Sequence, residues 1–236
     1  MVNGFLILGL LSDIELYFSP PDNISKVEVT LSGDEFKHAV KVMRKRTGNI
    51  IYITDGVGSI YKTQITIIKK EILIAQIIEI IKTENKFSNI FFCIPRLKNP
   101  DRFKFALEKS VELGIVNFII FDAKRSIKVS SNVKRWEKIV LAAMKQSLRA
   151  FLPVIQVKTD LKEILNFGGE KIIFDQSGKS NFNFKCDQKK DYYFIFGPEG
   201  GLSEKEISMF EANQIYSLSS NRLRTETAIL KAAASL

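Results

Sequence analysis

Apolar and polar residues alternate along Lys26–Leu31, the period-two pattern of a strand with one buried face. A β-branched run follows at Ile50–Thr54 and is closed by Asp55-Gly56, a dipeptide that turns the chain between paired strands. Ile60–Ile68 and Ile72–Ile81 continue the same pattern. Between the first two strands, Ser32-Gly33-Asp34-Glu35 has capping-box spacing and predicts a short helix through Met43. Several short strands around one helix predict a small β-barrel.

Residues 82–88 (Lys-Thr-Glu-Asn-Lys-Phe-Ser) are polar and aperiodic and read as a linker. Beyond them strands and helices alternate. Asn89–Ile94 is a strand, Asp101–Leu113 a helix ended by Gly114, and Phe118–Phe121 a strand. A helix over Val133–Arg149 stops before Pro153, Val154–Val157 is a strand, and Leu161–Phe167 is a helix ended by Gly168-Gly169. Strands at Lys171–Asp175 and Tyr192–Phe196 flank a polar loop. A second capping box, Ser203-Glu204-Lys205-Glu206, opens a helix to Asn213, and a strand near Ile215–Leu218 precedes a last helix from Thr225. This alternation predicts an α/β domain with a mostly parallel, helix-covered sheet. The expected division is a β-barrel domain over residues 1–81, of which 1–16 are an atypical N-terminal extension, then the linker, then the α/β domain over 89–236.

The apolar run Phe5–Leu11 is far shorter than the roughly 20 residues of a membrane span. It also lacks the basic start and small-residue cleavage site of a secretion signal, so no membrane partner is expected. With 45% hydrophobic and 26% charged residues, the 236-residue chain can bury a core. One His (His38) and two well-separated Cys (Cys93 and Cys186) offer neither a zinc-ligand spacing nor a disulfide framework. No metal is expected, and reduced cysteines suit a cytoplasmic setting. The 35 Lys+Arg against 26 Asp+Glu leave a formal charge of +9, which favours a polyanionic partner such as RNA or DNA.

Two segments carry candidate chemistry. The strand Phe194-Ile195-Phe196 runs into Gly197-Pro198-Glu199-Gly200-Gly201, at the place where ligands bind open parallel sheets. Glycine there admits close backbone approach, and the spacing is neither GxGxxG nor a P-loop, so pyrophosphate is not indicated. An ordinary tight turn explains the glycines equally well, but explains Glu199 among them less well. The second segment, Leu218–Ala228, follows a strand and opens the last helix, with Thr225 as its expected N-cap and Glu226 favoured by the helix dipole. Capping leaves Arg222 and Arg224 unexplained, because cations are disfavoured there; both suit an anionic ligand or a developing negative charge.

Gly197–Leu202 followed by Leu223-Arg224-Thr225-Glu226-Thr227-Ala228 resembles the two C-terminal signatures of the ribosomal small-subunit methyltransferase E family, the 16S rRNA uridine-N3 methyltransferases of the SPOUT superfamily. Arg102–Gly114 is similar to the family's helix ending in Lys-x-x-Glu-Leu-Gly, and Gln146 with Arg149 to its Glu-Gln-x-x-Arg segment. His38, Val42, Arg44, Gly48 and Asp55-Gly56 resemble its N-terminal domain. The resemblance implies a PUA-like β-barrel, then a SPOUT-type α/β domain whose C-terminus threads a deep trefoil knot holding S-adenosylmethionine, in a homodimer. It implies a cofactor site at Phe174, Gly197, Pro198, Glu199, Gly200, Gly201, Leu218, Ser219, Asn221, Leu223, Thr225, Thr227 and Ala228. Leu218-Ser219-Ser220-Asn221 stands where the family usually has Leu-Gly-x-Arg, and Lys145 where it usually has Glu. These departures leave open a non-catalytic RNA-binding or ribosome-assembly protein, or an enzyme of the same superfamily acting on another RNA.

The reaction implied is methylation of one uridine near the decoding site of the small ribosomal subunit. It requires loss of a weakly acidic imide proton and stabilisation of the resulting anion. Arg224 is the candidate stabiliser, and Glu199 or Glu226 the candidate base. Uracil N3 lies on the Watson–Crick edge, so the target must be unpaired or flipped. RNA contacts are expected from Lys41, Arg44, Lys45, Arg46, Arg102, Lys124, Arg125, Lys128 and Arg149, with a solvated basic face as the plainer alternative. His38 reads as a packing or phosphate residue, and Trp136 as a core or dimer contact.

Overall fold

The computed structural model describes residues 14–126, 132–179 and 182–236, so Phe5–Leu11 and Lys128 lie outside the described residues. The chain clusters into two compact units, Met1–Asn85 with Met144–Leu152, and Lys86–Ala143 with Pro153–Leu236. The segment Met144–Leu152, expected in the second domain, thus belongs to the first unit.

In the first unit, β1 (Leu16–Phe18), β2 (Glu28–Ser32), β3 (Ile50–Thr54), β4 (Ser59–Ile68) and β5 (Ile72–Lys82) form one sheet in the order β1-β3-β4-β5-β2. β1 runs parallel to β3, and the other pairs are antiparallel. Strand alternation gathers Val29, Leu31, Ile51, Ile53, Ile65 and Leu73 with Tyr17 and Phe36 into one core. Just after β1, Ser19 Oγ donates to the Thr30 carbonyl of β2 at 2.7 Å. The Asp55-Gly56 turn is fixed by the Asp55 carboxylate, which accepts from the Val57 and Ser59 N–H groups at 2.8 and 2.9 Å. Beside it, the Ala150 carbonyl accepts from Gly58 N–H at 3.0 Å, and Leu152 N–H donates to the Gly56 carbonyl at 2.8 Å.

The capping box expected at Ser32 is not made. Helix α1 (Gly33–Lys37) begins after Ser32 without a side-chain cap. Its Glu35 carboxylate is instead engaged by Phe18 N–H at 3.1 Å and by the Lys145 ammonium at 2.6 Å. The helix continues as a π-helical turn, His38–Val42, and the chain leaves it through Arg44 in the left-handed region at φ 54°. His38 packs as expected, 5.8 Å from the Tyr17 ring and 3.5 Å from Glu15.

The second unit holds β6 (Ile90–Pro95), α2 (Pro100–Glu112), β7 (Asn117–Phe121), α3 (Val133–Gln146, passing into the first unit at Met144), β8 (Val154–Lys158), α4 (Leu161–Leu165), β9 (Glu170–Lys179), β10 (Tyr192–Phe196), α5 (Glu204–Ile207), β11 (Ile215–Tyr216) and α6 (Thr225–Ala234). The sheet is parallel throughout, in the order β11-β9-β10-β6-β7-β8. The chain builds outward from β6 through β7 to β8, returns to β9, and then inserts β10 between β9 and β6. β10 is buried at every position, as a strand covered on both faces must be. Phe92, Phe174, Phe194 and Phe196 pack ring to ring across its neighbours at 5.1–5.5 Å. Trp136 packs on Phe103 with centroids 5.1 Å apart.

Three helices end earlier than expected, α4 among them at Leu165 in place of Phe167. α3 stops at Gln146, and Leu148 turns the chain at φ 55°. α5 is a single turn: after Ser208 the ladder tightens, Met209 N–H donating to the Glu206 carbonyl and Phe210 N–H to that of Ile207, and a separate short turn follows at Ala212–Gln214.

Candidate functional site

Beyond the carboxyl end of β10, beside Phe174 and Asp175 of β9, lies a cavity of about 810 Å³. One wall is the loop Gly197–Leu202 and the other is the run 217–225, with Ala228 of α6. Ligands sit at this end of parallel strands, where the order of the sheet reverses, because loops diverge there and leave backbone groups unpaired. The reversal in this sheet falls at β6 and β10.

The glycine loop is held from several sides. Gly201 adopts φ 70°, and its N–H donates to the Pro198 carbonyl at 2.8 Å, closing a tight turn. A side chain on Gly197 would place Cβ 3.1 Å from the Leu202 nitrogen. Lys98 N–H donates to Glu199 Oε1 at 3.0 Å, and Arg125 Nη1 donates to the Gly200 carbonyl at 2.9 Å. The capping box at Ser203 forms as expected: the Ser203 N–H and hydroxyl both donate to Glu206 Oε2 at 2.7 Å. Glu206 Oε1 accepts from Lys124 N–H at 2.8 Å, tying the chain after β7 to the same loop. Burial by itself would push the Glu206 carboxyl up. The N–H bonds from Lys124 and Ser203, the Ser203 hydroxyl and the Lys124 charge override it and hold it below the usual range.

The opposite wall differs from expectation at its helix start. Arg224, not Thr225, is the N-cap residue of α6, and it makes no side-chain cap. Thr225 stands one place inside the helix, and its hydroxyl donates across the cavity wall to the Gly197 carbonyl at 3.0 Å. Ser219 and Asn221 line the cavity and bond to each other, Asn221 N–H donating to Ser219 Oγ at 3.2 Å. Two sequence candidates are not on the wall. Thr227 is exposed, because the period of α6 turns it away from the buried Glu226 side of the first turn. Glu226 is buried behind the wall, with Oε1 3.5 Å from Arg102 Nε.

The structure therefore brings together Phe174, Gly197, Pro198, Glu199, Gly200, Gly201, Leu218, Ser219, Asn221, Leu223, Arg224, Thr225 and Ala228 around one cavity. The basic candidates divide differently. Lys41, Arg44, Arg46 and Arg149 are exposed in the first unit, and Lys45 is half-buried. In the second unit Lys124 is exposed, whereas Arg102 and Arg125 line the cavity instead of an open basic face. Sequence reading missed Asp175, Gln176 and Ser217 as wall residues. Their signal was available: Asp175 and Gln176 are where the apolar run of β9 turns polar, and Ser217 directly follows β11.

Chemically, the cavity sets an aromatic and aliphatic floor (Phe174, Phe196, Leu202, Leu218, Leu223) against guanidinium groups from Arg102, Arg125, Arg222 and Arg224. Such a floor accepts a flat heterocycle, and the arginines accept an anion. Among the described residues no cluster of three or more potential metal ligands occurs, and no helix is long and apolar enough to cross a membrane.

A family model described as an RNA methyltransferase domain matches residues 83–236, and one described as an RNA methyltransferase PUA domain matches residues 31–78. The chain is 34% identical over 167 residues to the Ribosomal RNA small subunit methyltransferase E of Mesomycoplasma hyopneumoniae (strain 232), covering 66% of this chain and 73% of that protein. To the protein of the same name from Bacillus subtilis (strain 168) it is 26% identical over 226 residues, 88% of each chain. The crystal structure of a Ribosomal RNA small subunit methyltransferase E from Neisseria gonorrhoeae bound to S-adenosyl methionine matches with a TM-score of 0.83 and 29% identity, covering 94% of this chain and 96% of that one.

Proposed function

Because this chain belongs to the ribosomal RNA small subunit methyltransferase E family, we propose that it methylates N3 of one uridine in 16S rRNA, near the decoding site of the small subunit, using S-adenosylmethionine. The observation that carries this reading is the cavity beyond β10, where the glycine loop and the 217–225 run form one wall system over an aromatic floor. The residues fit the cofactor. Gly197 keeps a Cβ atom out of the crowded loop, and Phe174, Leu218 and Leu223 give the lining apolar surface that would hold its adenine. When bound, the cofactor supplies an electrophilic methyl group on a sulfonium.

The chain's own residues supply the rest. Arg224 is exposed at the cavity wall and meets the ring oxygens of uracil as negative charge spreads onto them. Glu199 receives the N3 proton: it lines the cavity, and Lys98 N–H fixes one of its oxygens. Of the two candidate bases, Glu226 is the less suited because it does not reach the wall. Exposed Lys41, Arg44, Arg46 and Arg149 on the PUA-like unit, helped by Lys45, bind rRNA phosphates. The insertion of β10 between β6 and β9 supports the knotted SPOUT architecture that the family resemblance implies. A homodimer in the cytoplasm completes the reading.

Arg224→Ala tests it. The expected result is a loss of methyl transfer of about 100-fold or more, with affinity for S-adenosylmethionine nearly unchanged by calorimetry. An Arg224→Ala protein with near wild-type turnover removes the assignment.

A further inference from the structure

We propose that Arg102 grips a backbone phosphate of the RNA beside the target uridine, and that Glu226 is its positioning residue and takes no proton. The inference rests on the function proposed above. Arg102 lies in the first turn of α2, where its N–H donates to the Asn99 cap at 3.1 Å, and its side chain lines the cavity. Glu226 lies in the first turn of α6, the helix packed against α2. Its side chain is 10% exposed, and Oε1 stands 3.5 Å from Arg102 Nε. The second oxygen, Oε2, is buried and has no hydrogen-bond partner among the described residues.

A buried carboxylate with an unsatisfied oxygen is costly unless a cation holds it, and Arg102 is the cation paired with it. Glu226 does not line the cavity, and its ion-pair partner Arg102 does. The ion pair draws the Nε side of the guanidinium towards α6, and the terminal nitrogens of Arg102 make no hydrogen bond among the described residues. That free edge has the geometry that meets two oxygens of one anion.

Two anions are available, the carboxylate of the cofactor and a phosphate of the RNA. Charge favours the phosphate. The wall carries Arg102, Arg125, Arg222 and Arg224 against Asp175 and Glu199. The cofactor brings its carboxylate together with a sulfonium and an ammonium, so it cannot offset that excess, whereas an RNA chain can. Arg125 is already committed to the Gly200 carbonyl.

The experiment uses the full chain, S-adenosylmethionine and small ribosomal subunits lacking the modification, with Arg102→Ala, Arg102→Lys, Glu226→Gln and Glu226→Ala. Arg102→Ala is expected to raise the KM for subunits about tenfold, and to lower the slope of log KM against log salt by about 0.7, one single-strand phosphate's worth. The Kd for the cofactor stays within about twofold, since a lost phosphate contact does not touch it. Glu226→Ala is expected to reproduce Arg102→Ala, and the double variant to be no worse than either. Glu226→Gln keeps an acceptor, raises KM less and leaves the pH–rate profile unchanged. Where an alanine variant fails to fold, Arg102→Lys and Glu226→Gln carry the same comparison. If Arg102 variants weaken cofactor binding and leave subunit KM and salt slope unchanged, the anion is the cofactor's carboxylate and the inference fails. If Glu226→Gln abolishes kcat and removes the acidic limb of the profile, Glu226 is the base and the inference also fails. A wild-type chain that neither binds the cofactor nor methylates subunits overturns the function itself, a result distinct from both.

Discussion

At the scale of single residues, the cavity depends on atoms that are missing as much as on those present. A methyl on Gly197 would stand 3.1 Å from the Leu202 nitrogen and 3.3 Å from Gly201 Cα. The loop would have to shift against bonds from Thr225, Lys98 and Arg125, which hold it in place. Overpacking of this kind costs about 1–3 kcal/mol. Gly197→Ala is therefore expected to weaken cofactor binding about tenfold or more in calorimetry, with a smaller change in thermal stability. Glu206 makes a prediction in pH. Its carboxyl is held below the usual range in the folded chain, so its stabilising contribution is present above the carboxyl's unfolded pKa. That contribution is lost as pH falls through the lower folded value. The stability gap between wild type and Glu206→Gln in denaturant unfolding should narrow as pH falls below the ordinary carboxyl range; a gap that stays constant into acid contradicts the role given to Glu206.

At the scale of elements, two capping boxes were legible in the sequence, and only one exists. Ser203 caps α5 with both reciprocal bonds, whereas Ser32 caps nothing because Glu35 is drawn to Phe18 N–H and Lys145. Local spacing is the same in both places; the difference is a partner 110 residues away, which no local pattern contains. Ser203→Ala should cost about 1 kcal/mol and Ser32→Ala less than about 0.5 kcal/mol by chemical denaturation. Equal losses would contradict the assignment. Strands were read well where apolar runs met turn residues, as at Ile50–Thr54 and Tyr192–Phe196, since both faces of the pattern agree there. Helix ends were read poorly. Leu148 at φ 55° and the tightened bonds of Met209 and Phe210 N–H mark the ends of helices whose apolar periodicity continues past them.

At the scale of the whole chain, alternation of strands and helices predicted a parallel sheet, and the sheet is parallel throughout. The insertion of β10 between β6 and β9 was not readable from periodicity, because side-chain patterns report which face is buried and not which neighbour lies beside a strand. Met144–Leu152 joined the first unit through ties that no local pattern contains: backbone bonds to Gly56 and Gly58, the Lys145–Glu35 ion pair, and Ala150 and Leu148 packed with Leu16 and Ile60. The cavity, in contrast, was largely legible, since its glycine loop and the Leu218–Ala228 run carry their chemistry in consecutive residues. The measurement that bears most directly on the proposed function is mass mapping of 16S rRNA. Subunits from a strain lacking this protein would be incubated with the purified chain and isotope-labelled S-adenosylmethionine, then digested to nucleosides. The expected product is labelled N3-methyluridine at one position near the decoding site. Label on another nucleoside or another RNA, or none at all from a chain that binds the cofactor, would contradict it.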